Sequence, residues 1–289
     1  MIDTNVRLRI AIPSNGRLHE HAVSVLRDAG LRFRIDGRRL FAMCSDSETL
    51  VILAHAADVP SLVATGSVDL GITGSDQVAE ARVDADVTEV LALGFGRCRL
   101  ALAVQDNGPV RSIQDLDGRV VGTKFRNLSE QFFTAAGVDV RLVHLSGATE
   151  VMAMLGIVDG IVDIVETGNS LVANDLVELQ KIRDAEAVLI GSDVSADSDA
   201  RATLVARITG VIDASRKSML DFNCPTAALD RIGEMASGFT SPTVLETMDP
   251  EWHAVRVLVD KVDVHAVMDA LKAAGCQGIL ETEVRQTRL

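Results

Sequence analysis

The chain has 289 residues, 47% apolar and 24% charged, enough for two or three domains around sizeable cores. A formal net charge of −13 and the absence of Tyr argue against a nucleic-acid surface, which needs basic stripes and aromatic platforms. No apolar run reaches the roughly 20 residues that span a bilayer. No signal-peptide pattern opens the chain. The cysteines (Cys44, Cys98, Cys224, Cys276) are scattered and read as free thiols, so a cytoplasmic protein is expected.

In chain order, Leu8–Ile12 is an apolar strand that ends at Pro13, followed by the polar turn Ser14-Asn15-Gly16. His19–Ala29 carries apolar residues at helical spacing and stops at Gly30. Leu50–Leu53 reads as a strand, Val59–Ala64 as a helix, and Val68–Thr73 as a buried strand leading into Gly74-Ser75-Asp76. A second α/β unit is expected from Phe95 to Lys181. It has strands at Arg99–Val104, Val120–Thr123, Val140–His144 and Ile161–Val165, and a helix at Leu128–Ala136. Ala187–Ile190 then returns to the first unit. The pattern predicts two α/β lobes joined by paired crossovers, with a cleft at the carboxyl ends of the strands. The expected bounds are 1–94 plus 182–212 for the first lobe and 95–181 for the second.

The tail, 213–289, reads as strand Lys217–Phe222, helix Thr226–Met235, strands Thr243–Thr247 and Ala254–Val259, helix Val264–Ala274 and strand Gly278–Val284. That β-α-β-β-α-β order is the ferredoxin-like plan. By itself it is equally suited to packing or oligomerisation. Asp199–Ser215 reads as a helical linker after the polar loop Ser192–Ala200.

The densest chemical signal is Asp159–Leu171, DGIVDIVETGNSL: a strand, a polar turn and a helix start. Gly lets backbone approach a ligand, Thr and Ser offer hydroxyls, and first-turn N–H groups favour an anion. Asp159 and Asp163 stand just upstream. The set suits a sugar phosphate, and an ordinary capped βα turn would show the same residues.

The stretch resembles the signature of the ATP phosphoribosyltransferase family, with Glu150, Gly156, Asp163, Thr167, Gly168, Ser170, Leu171 and Asn174 in the corresponding places. The segments IAIPSNGRL, VDLGITGSD and LALGFGRCRL, together with the tail from SPTVLETMDPEWHAVRVLV to GILETEVRQTRL, extend the likeness over nearly the whole chain. It matches the long form of the enzyme, which has a periplasmic-binding-protein-like bilobed core and a C-terminal, ACT-like regulatory domain. The resemblance implies transfer of phosphoribosyl from phosphoribosyl pyrophosphate to N1 of ATP, with Mg²⁺ on the pyrophosphate, histidine as effector and a homo-oligomer, dimer or hexamer.

It also implies roles by position. Thr167, Gly168, Asn169, Ser170 and Leu171 would cradle the 5′-phosphate, and Asp159 and Asp163 would face the ribose. Gly16 and Arg17 would meet pyrophosphate or triphosphate. Asp69, Thr73, Gly74, Lys124 and Glu150 would lie near the nucleotide, with Arg97 and Arg99 as further cations. Asp221, Ser241, Thr243 and Gly278 would surround the effector. No protein metal-ligand set is expected.

The chain departs from the family in its first lobe. Ser14 and Asn15 stand where a Lys usually precedes the G-R-L turn, and Ala54-His55-Ala56-Ala57 replaces a segment that commonly carries basic residues. Arg126 replaces a usual Pro. A divergent paralogue with lost catalysis, acting as a ligand-binding or regulatory protein, and a bilobed solute-binding protein are therefore the alternatives.

Overall fold

The computed structural model describes residues 6–37, 39–46, 48–83, 86–147, 149–192, 198–235 and 241–288. Two compact units result, one of Met1–Ser24 with Arg32–Arg201, the other of Val25–Leu31 with Ala202–Leu289.

The first part of the chain runs β1 (Leu8–Pro13), α1 (His19–Asp28), β2 (Phe41–Met43), β3 (Thr49–Ala54), α2 (Val59–Ala64), β4 (Leu70–Gly74), α3 (Ser75–Ala81) and β5 (Thr88–Ala92). It continues as β6 (Cys98–Gln105), β7 (Val120–Thr123), α4 (Arg126–Ala136), β8 (Arg141–His144), α5 (Thr149–Met154), β9 (Gly160–Val165), α6 (Asn169–Ala173), β10 (Leu176–Ala185) and β11 (Ala187–Gly191). Two sheets form. The first has six strands in the order β2-β3-β1-β4-β11-β5, the second five in the order β10-β6-β9-β7-β8.

Strands β1, β3 and β4 are mutually parallel, as are β7, β8 and β9. Ile10, Ala11, Ile12, Leu70 and Ile72 are fully buried, the continuous apolar run of strands covered on both faces. The two-lobed α/β plan of the sequence reading is present. The return to the first sheet comes later than residue 182, because β10 stays paired with β6 through Ala185. The crossovers are tied together: the Leu93 N–H donates to Ala187 O, the Ala187 N–H to Phe95 O, and the Ser75 N–H to Glu186 O.

The remainder comprises α7 (Ser198–Ser215), β12 (Lys217–Pro225), α8 (Leu229–Met235), β13 (Thr243–Glu246), β14 (Trp252–Asp260), α9 (Val264–Ala273) and β15 (Gln277–Glu283). Its antiparallel sheet has the order β13-β14-β12-β15, the ferredoxin-like arrangement. Leu220, Phe222, Cys224, Val255, Val257 and Val259 alternate onto the face that forms a core with Ile232, Val264 and Leu271. The division between units falls inside α7, after Arg201, and not at residue 212. Of the expected polar loop 192–200, residues 193–197 lie outside those described.

Candidate active site

In the first unit the strand ends of both sheets converge on one cleft. A cavity of ≈ 300 Å³ there is lined from one lobe by Pro13, Asn15, Gly16, Arg17, Ala56, Gly74, Asp76 and Gln77, and from the other by Lys124, Phe125 and Ile164. Its placement follows the general rule for open α/β sheets.

The turn after β1 is fixed at both ends. The Ser14 N–H donates to Ala54 O at 2.7 Å, and the His19 ring meets Pro13 O at 2.6 Å. Arg17 leaves this turn and crosses to the second lobe. Its guanidinium donates to Gly96 O, reaches the Cys98 Sγ at 3.2 Å, and lies 3.5 Å from Glu166 and 3.9 Å from Asp76. Burial pushes the Cys98 thiol up, and Arg17 offsets this only in part, so a neutral thiol faces the guanidinium. Thr73, fully buried, donates its hydroxyl to Ala56 O at 2.7 Å. It shapes the segment after β3 and does not open onto the cleft. Gly74 meets the expectation of a position at the mouth. A Cβ there would stand 2.1 Å from Asp76 Oδ1, so a larger residue would displace that carboxylate.

On the second lobe, Asp163 points from β9 into a compact polar group. Lys124 approaches its carboxylate at 3.1 Å, Thr149 Oγ1 at 2.5 Å, and the Ile164 N–H at 2.7 Å. The same Thr149 hydroxyl lies 3.1 Å from Glu150, so the two carboxylates flank one hydroxyl. Beyond β9 the chain turns at Gly168, whose φ of +86° lies in the left-handed region that favours glycine. Thr167, Asn169 and Ser170 are exposed there. The first-turn N–H groups of α6 have no intrahelical acceptor. Leu171 is buried among Ala153, Val158 and Val165, so its side chain anchors the loop and only its N–H is available. The Asn174 amide donates to Ser170 O at 2.8 Å and closes the turn.

Two expected site residues sit elsewhere. Asp159 precedes β9 and accepts from the Val120 N–H at 3.0 Å and from Arg119 at 2.9 Å. Burial alone would raise its carboxyl, but the Val120 N–H and the guanidinium outweigh that and hold it below the usual range. Asp69 precedes β4 and accepts from the Arg9 N–H at 2.6 Å. Both acids are at the amino ends of strands whose carboxyl ends face the cleft. In this structure each staples neighbouring strands.

The other expected cations are paired. Arg99 meets Glu178 at 2.7 Å, Arg97 lies 3.7 Å from Glu186, and Arg126 lies 2.8 Å from Glu130. Arg126 also opens α4, two residues before the expected helix start. Glu80 of α3 accepts from the Asn127 and Leu128 N–H groups and thereby caps α4 from the opposite lobe. Sequence reasoning missed Asp76, Gln77, Thr149 and Glu166 at this cleft.

In the second unit, a separate cavity of ≈ 270 Å³ lies on the open face of the sheet. Asp221, Thr243 and Gly278 line it, as expected, together with Asn223, Leu245, Arg256 and Leu280. Register explains the grouping: Asp221 pairs with Arg256 across β12–β14, and Arg256 with Thr243 across β14–β13. Arg256 also meets the Asp221 carboxylate at 2.8 Å. Ser241 is exposed two residues before β13 and is not among the lining residues.

The cleft, the phosphate-type turn and the appended ferredoxin-like sheet coincide with one family. Residues 55–212 match the ATP phosphoribosyltransferase family model, and residues 214–286 match that of the HisG C-terminal domain. The chain belongs to the ATP phosphoribosyltransferase family. An ATP phosphoribosyltransferase of Rhodopirellula baltica is 39% identical over 287 residues, covering 99% of this chain and 95% of that protein. One of Methanopyrus kandleri is 38% identical over 94% of this chain and 96% of its own length. A solved chain of the ATP phosphoribosyl transferase (HisG:HisZ) complex from Thermotoga maritima superposes with a TM-score of 0.63 at 25% identity, covering 71% of this chain and 98% of that one. The protein is thus a phosphoribosyltransferase of histidine biosynthesis, and the solute-binding alternative falls away. Among the described residues no helix is long and apolar enough to cross a membrane.

Proposed function

We propose that this cleft transfers the phosphoribosyl group of phosphoribosyl pyrophosphate to N1 of ATP, with the 5′-phosphate held by the Thr167–Leu171 turn. The observation that carries the assignment is the juxtaposition, in one cleft, of that turn's neighbour Asp163 with Lys124 and the Gly16–Arg17 turn. Thr167 and Ser170 hydroxyls and the turn's N–H groups bind the phosphate. Asp163 meets the ribose hydroxyls, and its carboxylate stabilises the cationic sugar that forms as pyrophosphate departs. Arg17, Gly16 and Lys124 take the phosphates of the leaving group and the nucleotide. No nucleophilic side chain is needed, because N1 attacks C1 directly. The work is alignment of two polyanions and charge stabilisation.

Asp163 and Glu150 offer the hard oxygen donors that suit Mg²⁺, with substrate oxygens completing its shell. When bound, Mg²⁺ neutralises charge on the departing pyrophosphate. The pocket of Asp221, Asn223, Thr243, Arg256 and Gly278 binds histidine as a feedback inhibitor: a carboxylate for its ammonium group, a guanidinium for its carboxylate. The enzyme works in the cytoplasm as a homo-oligomer, in keeping with its free cysteines. Mixing the purified chain with ATP, phosphoribosyl pyrophosphate and Mg²⁺ tests the reading. The expected result is a pyrophosphate-coupled N1-phosphoribosyl-ATP product whose formation histidine slows. No product at any enzyme concentration overturns it in favour of the paralogue.

A further inference from the structure

Asp76 is the most conspicuous unassigned group of the cleft. The residue is 1% exposed, yet its Oδ1 has no hydrogen-bond partner. Its other oxygen takes the Gln77 amide at 2.5 Å. Arg17 Nη2 is 3.9 Å from Oδ1, within ion-pair range but too far for a hydrogen bond, and that nitrogen already faces Cys98. Asp76 stands in the first turn of α3, but its Oδ1 takes no helix N–H, so helix capping does not explain that oxygen. Leaving a buried carboxylate oxygen without a donor is costly. The absence of a side chain at Gly74 makes room for this oxygen, which lies 2.1 Å from where a Cβ would stand.

A ligand in the cleft would supply the missing donor. The cavity that Asp76 lines has an apolar share, Pro13, Leu18, Ala56, Phe125 and Ile164, suited to the faces of a flat ring. A phosphate is an anion at neutral pH and would be repelled by this carboxylate. We infer that Asp76 accepts a hydrogen bond from the exocyclic N6 amino group of the adenine of ATP and selects adenine over 6-oxopurines. The inference rests on the transferase reading given above. Lys124 lines the same cavity and reaches Asp163 at 3.1 Å, so an adenine held here lies beside the sugar side of the site.

The contact does more than select. In the reaction the N1 lone pair forms the bond to C1, the bond from C1 to the pyrophosphate oxygen breaks, and its electron pair leaves with pyrophosphate. The adenine acquires positive charge shared with N6. The N6 protons stay in place and become stronger donors, so the carboxylate holds the transition state more tightly than the ground state. A 6-oxopurine presents an acceptor to the same oxygen, and buried polar mismatches of that kind discriminate strongly.

Two experiments read this. Calorimetric binding of ATP and inosine triphosphate to wild type and to Asp76→Asn needs no turnover. Wild type should prefer ATP by about 100-fold or more, and the variant, whose amide can donate to O6, should compress that preference by about tenfold or more. An unchanged ratio in folded Asp76→Asn overturns the inference. Should the variant fail to fold, wild type is assayed with purine riboside triphosphate, which keeps N1 but lacks the amino group. The expected result is a kcat lowered by about 10–100-fold with a smaller change in KM, and a kcat equal to that with ATP overturns the inference. A wild-type enzyme that binds ATP selectively yet makes no product with it would sink the transferase reading and leave the Asp76 assignment standing.

Discussion

Asp159 gives a sharp test, because the sequence motif and the geometry assign it different work. Its carboxylate accepts from the Val120 N–H at 3.0 Å and from Arg119 at 2.9 Å. Asp159→Ala removes both. A hydrogen bond to a charged group contributes about 1.5–3 kcal/mol. The ion pair adds only about 0–1 kcal/mol, because its side chains are 38% and 32% exposed. The sum, ~1.5–4 kcal/mol, predicts a melting temperature lowered by about 3–16 °C for a unit of this size. Asp159→Asn keeps an acceptor for Val120 and should lose about 1 kcal/mol. The sign with pH follows from a carboxyl held below its usual range in the folded state. Its contribution is present above the unfolded value of about 3.9 and is lost as pH falls through the lower folded value. The gap between wild type and Asp159→Ala should therefore be full at pH 7 and should close below about pH 4. Scanning calorimetry across that range measures the gap, and a steady-state assay at pH 7.5 should show kcat/KM within about threefold of wild type. A melting temperature unchanged at pH 7 with kcat/KM down by about 100-fold would refute the staple and return Asp159 to the substrate.

Asp163→Asn should behave in the opposite way, with turnover falling by about 100-fold while melting shifts by only a few degrees; equal activity would remove it from the site. Asn15→Lys and Ala56→Arg each place a cation on the cavity wall and should tighten ATP by about 10–100-fold as measured by calorimetry, whereas unchanged affinity would mean that the triphosphate lies elsewhere. Asp221→Ala should abolish histidine inhibition without changing uninhibited kcat, and retained inhibition would clear the second-unit pocket of that role. Burial first, then Asp46 beside Cys44 and Cys224 beside Cys276, push both thiols up to about 12. Iodoacetamide at pH 8 should therefore label neither within the time that labels the urea-unfolded chain, and rapid native labelling seen by mass spectrometry would contradict their burial.

The alternation of β and α segments was readable because parallel strands covered on both faces are continuous apolar runs, as in β1 and β4. Strand β10 escaped because it lies at the edge of its sheet, and LVELQKIRDA spreads charge along both faces. Two register shifts against β6 further break its period of two. Asp69 and Asp159 were misplaced for a different reason. An acid beside a strand reads the same in sequence whether it staples that strand's start to its neighbour or meets a substrate at its end, and only the hydrogen bonds separate the two. Asp76 was hidden because an acid in the first turn of a helix ordinarily complements the dipole. Only the orphaned oxygen distinguishes it, and that requires coordinates. Arg256 stands 35 residues from Asp221, and only the β12–β14 register brings the two together.

The scarcity of cations in the first lobe acquires a physical meaning once the pairing is known. Arg17 faces Glu166 and Asp76, Lys124 faces Asp163, Arg99 faces Glu178, and Arg97 faces Glu186. Each of these cations already faces a carboxylate. An incoming phosphate therefore does not meet bare positive charge. It exchanges with a carboxylate, and because it carries more negative charge than the group it displaces, the exchange favours the ligand. Arg17 is where this matters most, since its present partners Glu166, Gly96 and Cys98 belong to the opposite lobe. If a polyphosphate takes the guanidinium as proposed, Glu166 would be released, and the contact that now joins the lobes would be replaced by one through the substrate. On the proposed reading, the missing Lys would be compensated less by extra charge than by geometry: one arginine would bridge the lobes before binding and grip the polyphosphate after it.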